Sequence, residues 1–118
     1  MARHQFEAKI RHESGKAIIE MYGEINAFAA EDLGEAYSQA EAIGSPEILL
    51  NFKGVEYINS TGIALIVNML ARARKTNRRL VMCCLSDHYV EIFQVTRLTD
   101  YMSIYDDEQA ALAADPRG

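Results

Sequence analysis

Two adjacent hydroxyls, Ser60 and Thr61, stand between Asn59 and Gly62 where an apolar strand gives way to a helix. Hydroxyls in that position have three uses. They can attack a substrate if a histidine and a third group activate them. They can cap the helix by accepting from its first amides. They can also carry a phosphate, which the unpaired N–H groups and partial positive charge of a helix start would welcome. The first use needs a base, and His4, His12 and His88 are scattered along the chain, with His88 placed at the start of a different helix. Neither GxGxxG nor GxxxxGK[ST] occurs, so a glycine-rich phosphate loop is excluded. Catalysis therefore has little support. A cap at Asn59 or Ser60, with Gly62 allowing close packing, and a modifiable hydroxyl both remain open.

Other reactive side chains narrow the choice. Cys83 and Cys84 are adjacent, and neighbours on a strand point to opposite faces, which argues against a structural disulfide between them. No CxxC spacing exists, so neither zinc nor any other metal or cofactor is expected. The acidic groups Glu31-Asp32 and Asp106-Asp107-Glu108 read as first-turn helix residues. The basic run Arg72, Arg74, Lys75, Arg78 and Arg79 could meet an acidic partner or anionic lipid, but at a helix C-terminus it also complements the dipole, and this structural role is favoured. A net charge of −5 and a pI near 5.1 argue against nucleic acid as a partner. No apolar run reaches the ~18–20 residues of a membrane span, and no signal-peptide core opens the chain, so a cytoplasmic location without membrane association is expected.

The elements that position Ser60 follow from periodicity. Phe6–Ile10 and Ala17–Tyr22 read as strands around the turn Glu13-Ser14-Gly15-Lys16, an opening hairpin. From Ala27 to Ile43, apolar residues recur at three- and four-residue steps, giving an amphipathic helix capped by Asn26 and stopped by Gly44. Ile48–Phe52 reads as a buried strand, followed by a short loop and a helix over Ser60–Lys75. Arg79–Leu85 makes another buried strand, Asp87–Thr96 a third helix, Met102–Tyr105 a last strand and Asp107–Ala114 a final helix; a tail from about 114 to 118 should fray. One α/β domain over residues 1–118 is predicted, with about five mostly parallel strands and about four helices. Ile63–Ala71 is apolar almost all round, so either neighbouring helices cover its second face or a partner does. Tyr89, Tyr101 and Tyr105 read as half-buried aromatics.

Tyr57-Ile58-Asn59-Ser60-Thr61-Gly62 resembles the Asp-Ser-Ser/Thr-Gly phosphorylation motif of STAS domains, specifically bacterial anti-sigma factor antagonists, and Tyr22-Gly23-Glu24-Ile25-Asn26 resembles their Gly-Glu-Leu-Asp segment. The resemblance implies a STAS fold over nearly the whole chain and a non-enzymatic role. It makes Ser60 the phosphoacceptor, with Thr61 the secondary hydroxyl, and Asn26, Asn59 and Gly62 its surroundings. The implied partners are an anti-sigma factor serine kinase of histidine-kinase-like ATPase fold, which phosphorylation releases, and a serine phosphatase that restores binding. A weak homo-oligomer is left open. Phe28, Ile63, Leu65 and Ile66 are the expected contact residues. Asn26 and Asn59 stand where the family has acidic residues, and Ile-Asn-Ser also resembles scaffold-type STAS subunits of larger stress-signalling assemblies. A module binding a small ligand or lipid is a third reading.

Overall fold

The computed structural model describes residues 5–114; His4 and residues 115–118 of the predicted fraying tail lie outside them. Strand β1 (Glu7–Glu13) turns into β2 (Lys16–Ile25) through Ser14 and Gly15, both at positive φ (55° and 77°). Two such residues match the right-handed twist of paired strands, and Glu13 opposes Lys16 across the turn. A 3₁₀ turn (Ala27–Ala29) then leads into α1 (Ala30–Ile43), which stops where Gly44 takes the left-handed conformation at φ 85°. Strand β3 (Glu47–Ile58), α2 (Ser60–Lys75), β4 (Arg79–Cys83), α3 (Asp87–Val95), β5 (Ser103–Tyr105) and α4 (Glu108–Ala113) complete the order.

The five strands form one sheet in chain order, with β1 antiparallel to β2 and the remaining neighbours parallel. One face carries Ile19, Met21, Leu50, Phe52, Leu80 and Met82 against α1, α2 and α3, whose contributions include Leu33, Tyr37, Ile66, Leu70 and Phe93. The other face carries Ile18, Leu49, Val81 and Cys83, and α4 covers it through Ala111. A helix on each side buries both faces of the central strands, which is why β3 and β4 read as unbroken apolar runs.

Charged groups tie α4 down. The buried Lys16 ammonium pairs with buried Glu47 at 3.1 Å and donates to the carbonyls of Leu112 and Ala114, at 3.1 and 3.2 Å. Ala114, expected at the start of a frayed tail, is thus held. Arg11 reaches Glu20 at 2.6 Å, Glu13 at 2.8 Å and also Glu108, to which Asn51 donates at 2.7 Å. Burial works to raise the Glu108 pKa, but the hydrogen bonds from Arg11 and Asn51 outweigh it and hold the carboxyl below its ordinary value.

Two sequence expectations need correction. The β3 strand does not end near Phe52: it runs on to Ile58, and the expected loop shrinks to Asn59. Beyond the Asn51–Cys83 pair β3 has lost β4, and beyond Tyr22 β2 has lost β1, so the last residues of β2 and β3 form a two-stranded ribbon. Lys53, Glu56 and Tyr57 are exposed there, and this removes the apolar signal that marks a buried strand. Nor do Cys83 and Cys84 point to opposite faces. Cys84 leaves the strand at φ 70° and both side chains join the α4-side cluster, with their sulfurs 3.2 Å apart.

Candidate functional site

At the ribbon tip, Ile25 and Ile58 are in register, so the asparagines that follow them, Asn26 and Asn59, emerge side by side. Each caps what comes next. The Asn26 side chain accepts from the Phe28 amide at 2.9 Å and starts the 3₁₀ turn; its amide group donates to the Glu24 carboxylate at 3.4 Å. The Asn59 side chain accepts from the Gly62 amide at 2.8 Å and starts α2. The Asn59 N–H donates to the Ile25 carbonyl at 3.2 Å, continuing the ladder by one bond and fixing the helix start on the end of β2.

Gly62 makes that seating possible. A Cβ there would lie 2.1 Å from the Ile25 carbonyl oxygen and 2.9 Å from the Ile58 side chain. Only a residue without a side chain lets the first turn of α2 approach the strand so closely. The tip has a second anchor that the sequence pattern did not reveal: the Ile58 N–H donates to the hydroxyl of Tyr89 at 2.8 Å, from the first turn of α3. Tyr89 is buried, not half-buried, and serves as the acceptor the ribbon has lost by outrunning β4. A tyrosine on the apolar side of a helix gave no hint that its hydroxyl would meet a strand amide.

The cap is therefore Asn59, which leaves Ser60 uncommitted as a cap and exposed in the first turn of α2, with Thr61 exposed beside it. No acidic residue lies in that first turn, whereas α1 has Glu31 and Asp32, α3 has Asp87 and α4 has Glu108. Phosphate added at Ser60 would meet the positive helix end without a carboxylate in that turn. His88 is exposed and packs edge-on against the Tyr89 ring at 4.9 Å, a structural use.

Of the four expected contact residues, Phe28 is 91% exposed, an extreme value for an aromatic side chain. Ile63 and Leu65 are partly buried and pack against the core. Ile66 must be withdrawn: it is fully buried under α2, because the helix turns this position toward the sheet together with Met69, Leu70 and Ala73. The near-continuous apolar surface of α2 thus divides. One face is core; the other shows Thr61, Ala64, Val67, Asn68 and Ala71 to solvent. Tyr57, 53% exposed, adds a second aromatic on the ribbon. Two of the basic groups at and just past the far end of α2 have internal partners: Arg72 bonds Ser38 and Glu41 and lies 4.8 Å over the Tyr37 ring, while Arg78 donates to the Glu41 carbonyl at 3.2 Å.

A family model for the STAS domain matches residues 7–111. The anti-sigma-B factor antagonist of Staphylococcus aureus is 27% identical over 86 residues, which cover 73% of this chain and 80% of that one. Among solved structures, an anti-sigma factor antagonist from Mycobacterium paratuberculosis superposes with a TM-score of 0.79 at 18% identity, covering 92% of both chains. The antagonist SpoIIAA in its unphosphorylated form superposes at 0.68 and 19% identity, covering 92% of this chain and 94% of that one. Its phosphorylated form from Bacillus superposes at 0.67 and 21%, covering 91% and 96%.

Proposed function

The chain belongs to the STAS domain family, and from that premise we propose that it is a cytoplasmic anti-sigma factor antagonist switched off by phosphate on Ser60. In the unmodified state the ribbon tip and the exposed face of α2 bind an anti-sigma factor with serine-kinase activity, and Phe28 is the main apolar contact. The kinase transfers phosphate to Ser60, the complex separates, and a serine phosphatase restores binding. The observation that carries the reading is the exposed Ser60 at the start of α2, beside a cap that Asn59 already supplies. Two findings from relatives support it: similar curated proteins are anti-sigma factor antagonists, and SpoIIAA has been solved both with and without phosphate.

The physics of the switch is local. A phosphoserine adds roughly −1.5 to −2 charge at pH 7. Buried against a docked partner without a counter-charge, such a group costs several kcal/mol, and about 3 kcal/mol already weakens binding more than a hundredfold. No refolding is needed. Because Asn59 and Asn26 are amides, they do not repel the phosphate; as caps they replace aspartate without loss.

The amides also favour a second reading, a scaffold-type STAS subunit whose serine is modified inside a larger assembly. The test that separates them uses the anti-sigma factor ATPase encoded nearest this chain's gene, incubated with the protein and ATP. Phosphate mapped to the tryptic peptide containing Ser60, on a protein that light scattering finds monomeric or weakly dimeric, fits the antagonist. A large particle with no such kinase pairing fits the scaffold.

A further inference from the structure

Cys83 and Cys84 take no part in the ribbon tip, yet their geometry is not that of ordinary strand neighbours. Cys83 is fully buried on the α4 side. Cys84 sits at φ 70°, a conformation that L-residues with a side chain adopt at a steric cost. Its N–H donates to the Tyr105 carbonyl at 3.2 Å, which holds it there, and its thiol meets the Cys83 sulfur at 3.2 Å. Cys84 also opens onto two clefts. One, of about 220 Å³, is lined by Lys53, Ser86 and Tyr89; the other, of about 440 Å³, by Arg11, Asn51 and Glu108. A small reagent can reach Cys84, while Cys83 is sealed behind it.

We propose that Cys83–Cys84 is a reversible redox-modification site, a vicinal dithiol that small-molecule disulfides oxidise to a disulfide between neighbours. The Cys84 thiolate attacks one sulfur of the reagent RSSR, forming a mixed disulfide and releasing RS⁻. Cys83 then attacks the Cys84 sulfur as its proton passes to the departing reagent sulfur, which forms the Cys83–Cys84 bond and releases the second half of the reagent as RSH. Two protein thiols are oxidised and one reagent disulfide is reduced to two thiols. The sulfurs must close from 3.2 Å to about 2.05 Å. Burial first, then Cys84 itself and the Glu108 and Asp107 carboxylates, push the Cys83 thiol up, so Cys84 is the residue that begins the exchange. Adjacent Cα atoms lie about 3.8 Å apart, closer than the roughly 4.4–6.8 Å of ordinary disulfides. The ring is therefore strained and easily reduced, the behaviour of a regulatory bond and not a structural one.

The folded full-length protein, treated with oxidised glutathione, alkylated and digested with trypsin, tests this by mass spectrometry of the peptide spanning 80–97. The expected peptide has lost the mass of two hydrogen atoms, yields no fragment from breakage between Cys83 and Cys84, and recovers both hydrogens when the protein is returned to excess reduced glutathione. Cys83→Ala should stop at a stable glutathione adduct on Cys84, and Cys84→Ser should not react. The wild-type peptide decides the matter even if a variant fails to fold. A stable adduct on the wild type, a fully reduced peptide, or a link to a second chain on non-reducing gels overturns the proposal.

Discussion

Polar groups are used in opposite ways at the ribbon tip and on the α4 face of the sheet. On the α4 face, Lys16, Glu47, Arg11, Glu20 and Glu108 satisfy one another and the end of α4. At the tip, backbone amides and two asparagine caps do the holding, and Ser60, Thr61, Phe28 and Tyr57 are left exposed. The sheet thus has one side whose charges are structural and one end whose side chains are available. Charge density alone would have pointed to the α4 face and not to the tip, where the proposed switch lies.

The largest effect that could break this contrast is on the α4 face. Lys16→Met leaves Glu47 buried without its nearest cation and frees the Leu112 and Ala114 carbonyls; it should cost about 3–5 kcal/mol, read as a lower urea midpoint, with partner binding unchanged at a temperature where the protein is folded. Gly62→Ala comes next. The new Cβ would collide with the Ile25 carbonyl, and because that neighbour is backbone, the start of α2 must shift, at about 2–3 kcal/mol. Unlike Lys16→Met, it should also impair partner binding.

Tyr89→Phe sharpens the contrast further, since it removes a hydroxyl and leaves the Ile58 amide without its acceptor. A loss of about 1–3 kcal/mol is expected, with faster hydrogen exchange at Ile58 and little change in β1. The smallest effect on stability belongs to Phe28→Ala. A side chain 91% exposed contributes within about 0.5 kcal/mol to folding. As an aromatic anchor of the contact it should nevertheless weaken partner binding by about 2 kcal/mol, some thirtyfold. Calorimetric titration alongside thermal melting separates the two quantities.

How much of this could be read from the chain depended on burial. The α2 boundaries, the Gly44 stop and the apolar centres of β3 and β4 were legible because packing imposes their periodicity. The extension of β3 through Lys53, Glu56 and Tyr57 was not, because these exposed residues interrupt the apolar run between buried Phe52 and buried Ile58. Local chemistry at Asn59–Gly62 marked a helix cap but left Asn59 and Ser60 as rival candidates; the Asn59–Gly62 hydrogen bond decides between them and leaves Ser60 exposed, and the family resemblance supplied the role proposed for it. Three features depended on the third dimension: the burial of Ile66, the reach of the Tyr89 hydroxyl to Ile58, and the turn at Cys84 that brings two sulfurs together. Hydrophobicity at Ile66 was compatible with either side of a helix that is apolar almost all round.

The measurement that bears most directly on the proposed switch is the affinity of the anti-sigma factor for the unmodified protein, Ser60→Ala and Ser60→Asp, taken side by side by calorimetry. Ser60→Ala should bind as the unmodified protein does, and Ser60→Asp should bind at least tenfold more weakly, about 1.4 kcal/mol, with all three melting alike. Equal affinities for the alanine and aspartate variants, in proteins shown to be folded, would contradict the account.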